Sequence, residues 1–231
     1  MVDNFFNTPT GCMFGLMAIL VLATGTGCQV FHQHQDEFVQ GYWTEQPANH
    51  FVSPYFNQLQ AHKIVIVVRD DRENSYQLQT RFGEHLRSSL SQKGLFEVAA
   101  VIGHCEIAPD GQSLDEMHES KLLELSRRYG TDGILFCDVD SFSAFEPLKM
   151  ACSLTFFDTR ESIVTLHTQG VWDSTSQRTR KSFTQYICRK HKCRAANVGI
   201  YLKSPAEYLD FVATDLSCFL LHTAVGSYFP N

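Results

Sequence analysis

The sequence predicts an α/β (α+β) domain with one mixed β-sheet of about five strands, helices packed on it, and the element order β-α-β-α-β-β-β-α. Three observations lead to this class. A continuous β-branched run at 63–70 is typical of a strand buried on both faces. Apolar residues then recur with a helical period. Two later apolar runs, joined by a short turn at 159–162, predict an antiparallel hairpin.

The first predicted helix follows strand 63–70 and covers about 75–93. Its apolar positions recur every four residues and therefore share one face; they are Leu78, Phe82, Leu86 and Leu90. Gly94 is the residue type at which such helices commonly end. A second strand is expected over 95–102.

A capping box opens the second predicted helix, because Ser113 and Glu116 stand three residues apart before an apolar stripe. Gly130 ends this helix. The side chains expected to face inward are Leu114, Met117, Leu122, Leu125 and Tyr129.

Three consecutive strands are expected at 133–142, 148–158 and 163–173, the last two forming the hairpin. A second capping box, Ser204 to Glu207, then opens a helix that runs to about residue 223. Strands alternate with helices in the first half of the domain and form a meander in the second half. Together they predict one mixed sheet.

The region before the domain shows no sustained period. Residues 29–60 read as a tether and an irregular lead-in, and Pro47 and Pro54 argue against a regular element there. Some apolar side chains of this lead-in are expected to dock on the domain: Phe51, Val52, Tyr55 and Phe56. The predicted division is a signal peptide at 1–27, a tether at 28–60 and a domain at 61–231.

Cys28 is the most informative residue of the N-terminal region. An apolar run from Met13 to Ala23 leads into Gly-Thr-Gly and then this cysteine. That order is typical of a bacterial lipoprotein signal, in which the thiol takes a diacylglyceryl group. Gln29 is not the aspartate associated with retention in the inner membrane, so we expect a lipid-anchored protein on the periplasmic side, at the outer membrane.

The apolar run has two other interpretations, a transmembrane span and a buried core segment. A transmembrane span needs roughly 20 apolar residues, which is more than this run provides. A buried core segment does not suit a run so near the terminus and followed by small residues. The net charge of -6 gives no support for nucleic-acid binding.

The domain resembles a group of bacterial envelope lipoproteins that includes the curli-secretion component CsgG and the penicillin-binding-protein activator LpoB. The resemblance covers roughly 63–173. Its motifs are Tyr129-Gly-Thr-Asp132-Gly133, Pro147-Leu148, Phe157-Asp158-Thr-Arg160 and Gly170-Val-Trp172-Asp173. Arg160 is followed by Glu-Ser where the group has Thr-Gly.

The resemblance implies a protein that binds a partner in envelope, secretion or cell-wall assembly, without enzymatic activity or a cofactor, and it is compatible with homo-oligomerisation. The alternative function is an oligomeric outer-membrane transport or pore subunit like the curli-secretion component. Insertions in which apolar and polar residues alternate regularly, as in membrane-facing strands, would favour that alternative, and the sequence shows none.

Two groups of polar residues are candidates, one for a catalytic site and one for a metal site. Asp70 and Asp71 follow the first strand, where open α/β sheets often place sites, but such residues more commonly cap the next helix. His32 and His34 lie in a polar stretch without further ligands at metal spacing. We therefore expect neither a catalytic site nor a metal site.

The segment 174–203 is a basic insert in an acidic chain. Its positive charges, including Arg189, Lys190, Lys192 and Arg194, have no acid between them and predict a binding patch for anionic lipid, cell-wall polymer or an acidic partner. Residues 178–194 are expected to be exposed. Cys188 and Cys193 are candidates for a local disulfide, with half of a metal site as the other interpretation.

Overall fold

The computed structural model describes residues 49–56, 63–70, 76–103, 119–192 and 195–225. All belong to one compact unit that spans 42–231. The strands are β1 (Asn49–Val52), β2 (Lys63–Arg69), β3 (Glu97–Gly103), β4 (Gly133–Ser143), β5 (Lys149–Asp158) and β6 (Ile163–Asp173). The helices are α1 (Tyr76–Gln92), α2 (Glu119–Tyr129), α3 (Gln177–His191), a 3-10 helix (Ala195–Lys203) and α4 (Pro205–Val225).

The described strands form one mixed sheet in the order β1-β6-β5-β4-β2-β3. Strand β2 pairs in parallel with β3 and β4, whereas the pairs β4–β5, β5–β6 and β6–β1 are antiparallel. The predicted fold class is confirmed, as is the hairpin of β5 and β6.

Strand β1 was not predicted, and it is a correction to the irregular lead-in expected at 28–60. Its four residues pair with β6, His50 opposite Thr168 and Val52 opposite Leu166. A strand this short shows no readable period, and Pro54 follows it rather than interrupting it. Pairing with β6, not local preference, therefore makes it a strand.

One face of the sheet carries the larger core. Helices α1 and α4 pack there, and the predicted face of α1 is confirmed because Phe82, Leu86 and Leu90 are fully buried. The thiols of Cys137 and Cys152 lie in this core, as small buried hydrophobes do. The hydrogen bond between them, together with burial, raises the pKa of Cys137 well above its ordinary value.

Among the described elements, α2 covers part of the opposite face. Leu122 and Leu125 of α2 pack on Val65, Ile134 and neighbouring side chains of β2 and β4. These two leucines were expected to face inward, and they do; the expected capping box at Ser113 lies outside the described residues.

The turn between β5 and β6 is built by residues that carried the family resemblance. Asp158 Oδ1 accepts hydrogen bonds from the backbone N–H groups of Arg160 at 2.9 Å and Glu161 at 3.4 Å. Ser162 adopts a positive φ of 54°. Arg160 Nη2 also lies 3.1 Å from Asp132 Oδ2. The two motif segments are thus neighbours in space, and here they hold the strand ends together.

The segment 174–203 is a second correction, because it is not an exposed insert. It forms α3 and the 3-10 helix, and Phe183, Tyr186 and Ile187 of α3 are buried. These three residues form a narrow apolar stripe at helical spacing. The stripe was not recognised in the sequence because many charged residues surround it.

Candidate interaction surfaces

Several residues singled out by the sequence lie outside the described residues: Cys28, His32, His34, Asp71, Cys193 and Arg194. Lipidation of Cys28 and pairing of Cys188 with Cys193 therefore stay predictions. Cys188 itself is half-buried on α3. Helix α3 ends just before Lys192, which caps it in the left-handed conformation at φ 48°.

Asp70 lies at the end of β2 and is buried, with 6% of its surface exposed. Its backbone carbonyl accepts a hydrogen bond from Gln79 Nε2 at 3.1 Å, which links the end of β2 to α1. Across the described ranges, no group of three or more His, Cys, Asp or Glu side chains is arranged to hold a metal ion.

None of the helices that the structure describes is both long enough and apolar enough to cross a bilayer.

Helix α3 has two contrasting faces. Its inner face packs on α4 through Phe183, whose ring lies 5.2 Å from the rings of both Tyr208 and Phe211. Its outer face is the basic stripe, which we define as Arg178, Lys181, Arg189 and Lys192, all exposed. They recur at intervals that keep them on one side of the helix, and α3 contains no acidic residue.

Lys190 does not belong to the basic stripe, although the sequence grouped it with Arg189 and Lys192. Its Nζ lies 2.5 Å from Asp210 Oδ2 and 2.9 Å from Glu207 Oε2, both on α4. Burial lowers the pKa of Lys190, but its hydrogen bonds to these two carboxylates outweigh that effect and raise it. Lys190 therefore ties α3 to α4.

Asp210 is the centre of this contact, which we call the polar junction: His85, Tyr186, Lys190, Glu207 and Asp210. His85 Nδ1 lies 3.2 Å from Asp210 Oδ1, and the Tyr186 hydroxyl donates to Oδ2 at 2.5 Å. Burial raises the pKa of Asp210, but the hydrogen bonds from His85, Lys190 and Tyr186 outweigh it and hold the pKa well below its ordinary value. Burial, and then the bond to Asp210, raise the pKa of Tyr186 far above its usual range.

The predicted capping box at the start of α4 is only half formed. The backbone N–H of Glu207 donates to Ser204 Oγ at 3.3 Å, as a helix cap requires. The Ser204 N–H donates instead to the Tyr201 carbonyl. The Glu207 carboxylate is thereby available to Lys190 and to His191, whose Nε2 lies 3.1 Å away.

The second surface is the part of the sheet that α2 does not reach. We define the open face by its exposed or half-exposed side chains on β4, β5, β6 and β1: Phe51, Asp138, Asp140, Ser153, His167, Gln169 and Val171. They form rows across the strands, since Asp138 pairs with Ser153, Ser153 with Gln169, and His167 with Phe51. Phe51 is 53% exposed and Val171 is 44% exposed.

Polar contacts order the side chains of the open face. Thr155 Oγ1 lies 2.9 Å from His167 Nδ1, and Gln169 Nε2 donates to Asp140 Oδ2 at 3.3 Å. Arg69 Nε lies 3.5 Å from Asp138 Oδ1. The face is thus a mixed surface of apolar groups and ordered polar groups, as many protein interfaces are.

Sequence reasoning did not identify the open face, although a signal for it was present. Along the first half of β5 burial alternates, with Met150, Cys152 and Leu154 buried and Ala151 and Ser153 less so. Such alternation indicates one covered and one accessible face. Which face a helix covers is a tertiary property, so the sequence did not place the surface.

No family model matches the chain, and no curated protein matches it.

Solved structures with a similar arrangement include a PelC dodecamer from Paraburkholderia phytofirmans, at 11% identity and a TM-score of 0.38, covering 69% of this chain and 95% of that one. A lipoprotein from Neisseria meningitidis matches at 10% identity and a TM-score of 0.34, covering 57% and 96%. The LpoB C-terminal domain from Salmonella enterica matches at 14% identity and a TM-score of 0.31, covering 49% and 84%. The sequence resemblance named two proteins, LpoB and the curli-secretion component. A structure of LpoB is among these similar structures, and a relation to the curli-secretion component stays a prediction. Similarities of this size give no function for this chain.

Proposed function

We propose that this protein is anchored by lipid on Cys28, on the periplasmic side of the outer membrane, and acts without catalysis by binding a protein partner in envelope, secretion or cell-wall assembly. The lipoprotein-type signal that ends at Cys28 supports the anchor. The observation that carries the binding role is the open face, where Phe51 and Val171 are exposed beside ordered polar groups.

The chemistry of the open face indicates what the partner presents. Phe51 and Val171 would contact apolar side chains, and aromatic residues at such positions often contribute much of the binding energy. Asp140 is exposed and accepts from Gln169, so it favours a donor or a positive charge on the partner. The expected partner surface is therefore apolar at its centre with basic or amide groups around it.

The binding role is tested by placing a photoreactive amino acid at Phe51 or at Val171 in the full-length protein, in its native cells. We expect both positions to cross-link to the same partner. A matched probe at Arg81, which is exposed on α1, should not cross-link to it.

The identified partner is then purified, and its affinity for the wild type and for Val171→Arg is measured. We expect roughly tenfold weaker binding or more, which corresponds to about 1.4 kcal/mol. Equal affinity for both proteins, or cross-linking from Arg81 alone, would place the interface elsewhere.

The anchor is tested separately by mass spectrometry of the mature N-terminal peptide. We expect Cys28 as the first residue, carrying diacylglyceryl. A native chain that keeps residues 1–27, or an unmodified Cys28, contradicts the anchor without bearing on the open face.

A further inference from the structure

We propose that the C-terminal end of α3, together with two neighbouring apolar tips, docks on the headgroups of an anionic membrane. We call this surface the docking end and define it as Phe145, Arg189, Lys192 and Ile200. The inference rests on the proposed lipid anchor, which would keep the domain beside a bilayer.

The apolar tips are the first observation. Phe145, in the turn between β4 and β5, is 84% exposed, and Ile200, in the 3-10 helix, is also 84% exposed. These are the largest exposed fractions among the large hydrophobic residues of the described part of the chain. Single exposed apolar residues are common, so their position relative to one another and to charge decides their meaning.

Side-chain contacts bring the two tips to the same end of the domain. Lys203 Nζ lies 3.4 Å from Glu146 Oε2, so the turn that carries Phe145 is next to the 3-10 helix that carries Ile200. The rings of His191 and Tyr201 are stacked with centroids 4.1 Å apart. That stack joins the end of α3, and with it Lys192, to the residue that follows Ile200.

The charge beside the tips is positive. Arg189 and Lys192 are exposed in the last turn of α3 and just after it. Two lysines contact the three nearby carboxylates that the structure describes, Lys190 with Glu207 and Asp210 and Lys203 with Glu146. With Arg189 and Lys192, these four positive and three negative groups leave one positive charge. The rest of the basic stripe extends this charge along the outer side of α3.

Apolar side chains next to lysine and arginine suit the boundary between headgroups and acyl chains, where the apolar group enters and the charges meet anionic lipid. A purely electrostatic contact with an acidic protein would leave Phe145 and Ile200 unexplained. Distance also permits the contact. The 21 residues from Cys28 to Asn49 reach at most about 75 Å when fully extended, so the domain stays near the bilayer that holds its anchor.

The test uses Phe145→Trp in full-length lipidated protein reconstituted with vesicles that contain brominated lipid. One set of vesicles is phosphatidylcholine alone, and the other contains about one third phosphatidylglycerol. Relative to the wild type, the added tryptophan should be quenched at least twofold more in the anionic vesicles, and added salt should reduce the quenching. Phe51→Trp, on the open face, is the matched control and should show no added quenching.

The double variant Arg189→Glu and Lys192→Glu in the Phe145→Trp background should lose the quenching but still float with the vesicles. Its urea midpoint should be unchanged, because exposed charges contribute little to stability. No quenching at position 145, or equal quenching in both vesicle types, would overturn the docking end.

The outcomes separate this inference from the anchor. Flotation reports the lipid on Cys28, and quenching reports the docking end. Protein whose Cys28 carries no lipid contradicts the anchor alone, whereas lipidated protein that floats without quenching overturns the docking. A third outcome would assign the surface to an acidic protein instead of a membrane. In that case the Phe145→Trp protein shows no quenching, and the variant with Arg189→Glu and Lys192→Glu loses an acidic protein partner.

Discussion

The two faces of strands β5 and β6 differ sharply although the same backbone carries both. Leu154, Phe156 and Trp172 point to the covered face and are almost completely buried under helices. Ser153, Gln169 and Val171 point the other way and remain accessible. The difference teaches that, among the described residues, the sheet is packed mainly from one side in this region, and substitutions on the other side are expected to cost little stability.

The comparison is tested most severely by a cavity on the covered face. Leu86→Ala removes a fully buried side chain of α1 and should lower the free energy of unfolding by roughly 2–5 kcal/mol. Urea denaturation measures the change. Val171→Ala on the open face is the control and should shift the midpoint very little; an unchanged midpoint for Leu86→Ala would mean that the wrong helix face was identified.

A second prediction concerns a polar contact inside the covered face. Trp172 Nε1 donates to Asp215 Oδ2 at 2.8 Å, and Asp215 is 1% exposed. Trp172→Phe keeps a large ring but removes the donor, so we expect a loss of about 1–3 kcal/mol. The double variant Trp172→Phe with Asp215→Asn should recover part of that loss. If Trp172→Phe were as stable as the wild type, this hydrogen bond would not stabilise the fold.

The polar junction extends the comparison to pH. Asp210→Asn removes the carboxylate that accepts from His85, Tyr186 and Lys190, and at neutral pH it should cost about 1.5–3 kcal/mol. The folded-state pKa of Asp210 is depressed. Its contribution is therefore fully present above the unfolded value of about 3.9 and is lost as pH falls through the lower, folded value.

The stability difference between the wild type and Asp210→Asn should accordingly be large at pH 7 and smaller at pH 3. Urea midpoints at both pH values measure it. A deficit that grows as the pH falls has the wrong sign and would show that Asp210 is not held charged by its partners. Glu84→Gln, at an exposed position on α1 that contacts Arg87, controls for the general effect of losing a negative charge.

The smallest expected effect on stability is on the open face. Phe51→Ser and Val171→Ser should each change the free energy of unfolding by less than about 0.5 kcal/mol, as surface substitutions usually do. Binding of the partner should nevertheless fall. A strong loss of stability in either variant would show that these side chains support the fold and that the two faces are not separable.

The outcome of the sequence predictions follows the range of the interactions involved. The hairpin of β5 and β6 and the apolar face of α1 were correctly predicted, because short turns and helical periods act over a few residues. Strand β1 was missed since it is formed by pairing with β6, more than a hundred residues away. The ion pairs of Lys190, which the sequence grouped with the basic patch, were not foreseen because its partners lie on α4.

The sequence by itself determined the order of the elements from β2 to β6, the mixed sheet, the core face of α1 and the cap at Ser204, because each follows from local spacing or backbone chemistry. The tertiary structure alone decided which sheet face the described helices leave accessible, which carboxylates Lys190 contacts and which apolar tips share one end of the domain. Those properties depend on whether a distant helix or carboxylate lies against a given side chain, and residue spacing along the chain does not carry that information.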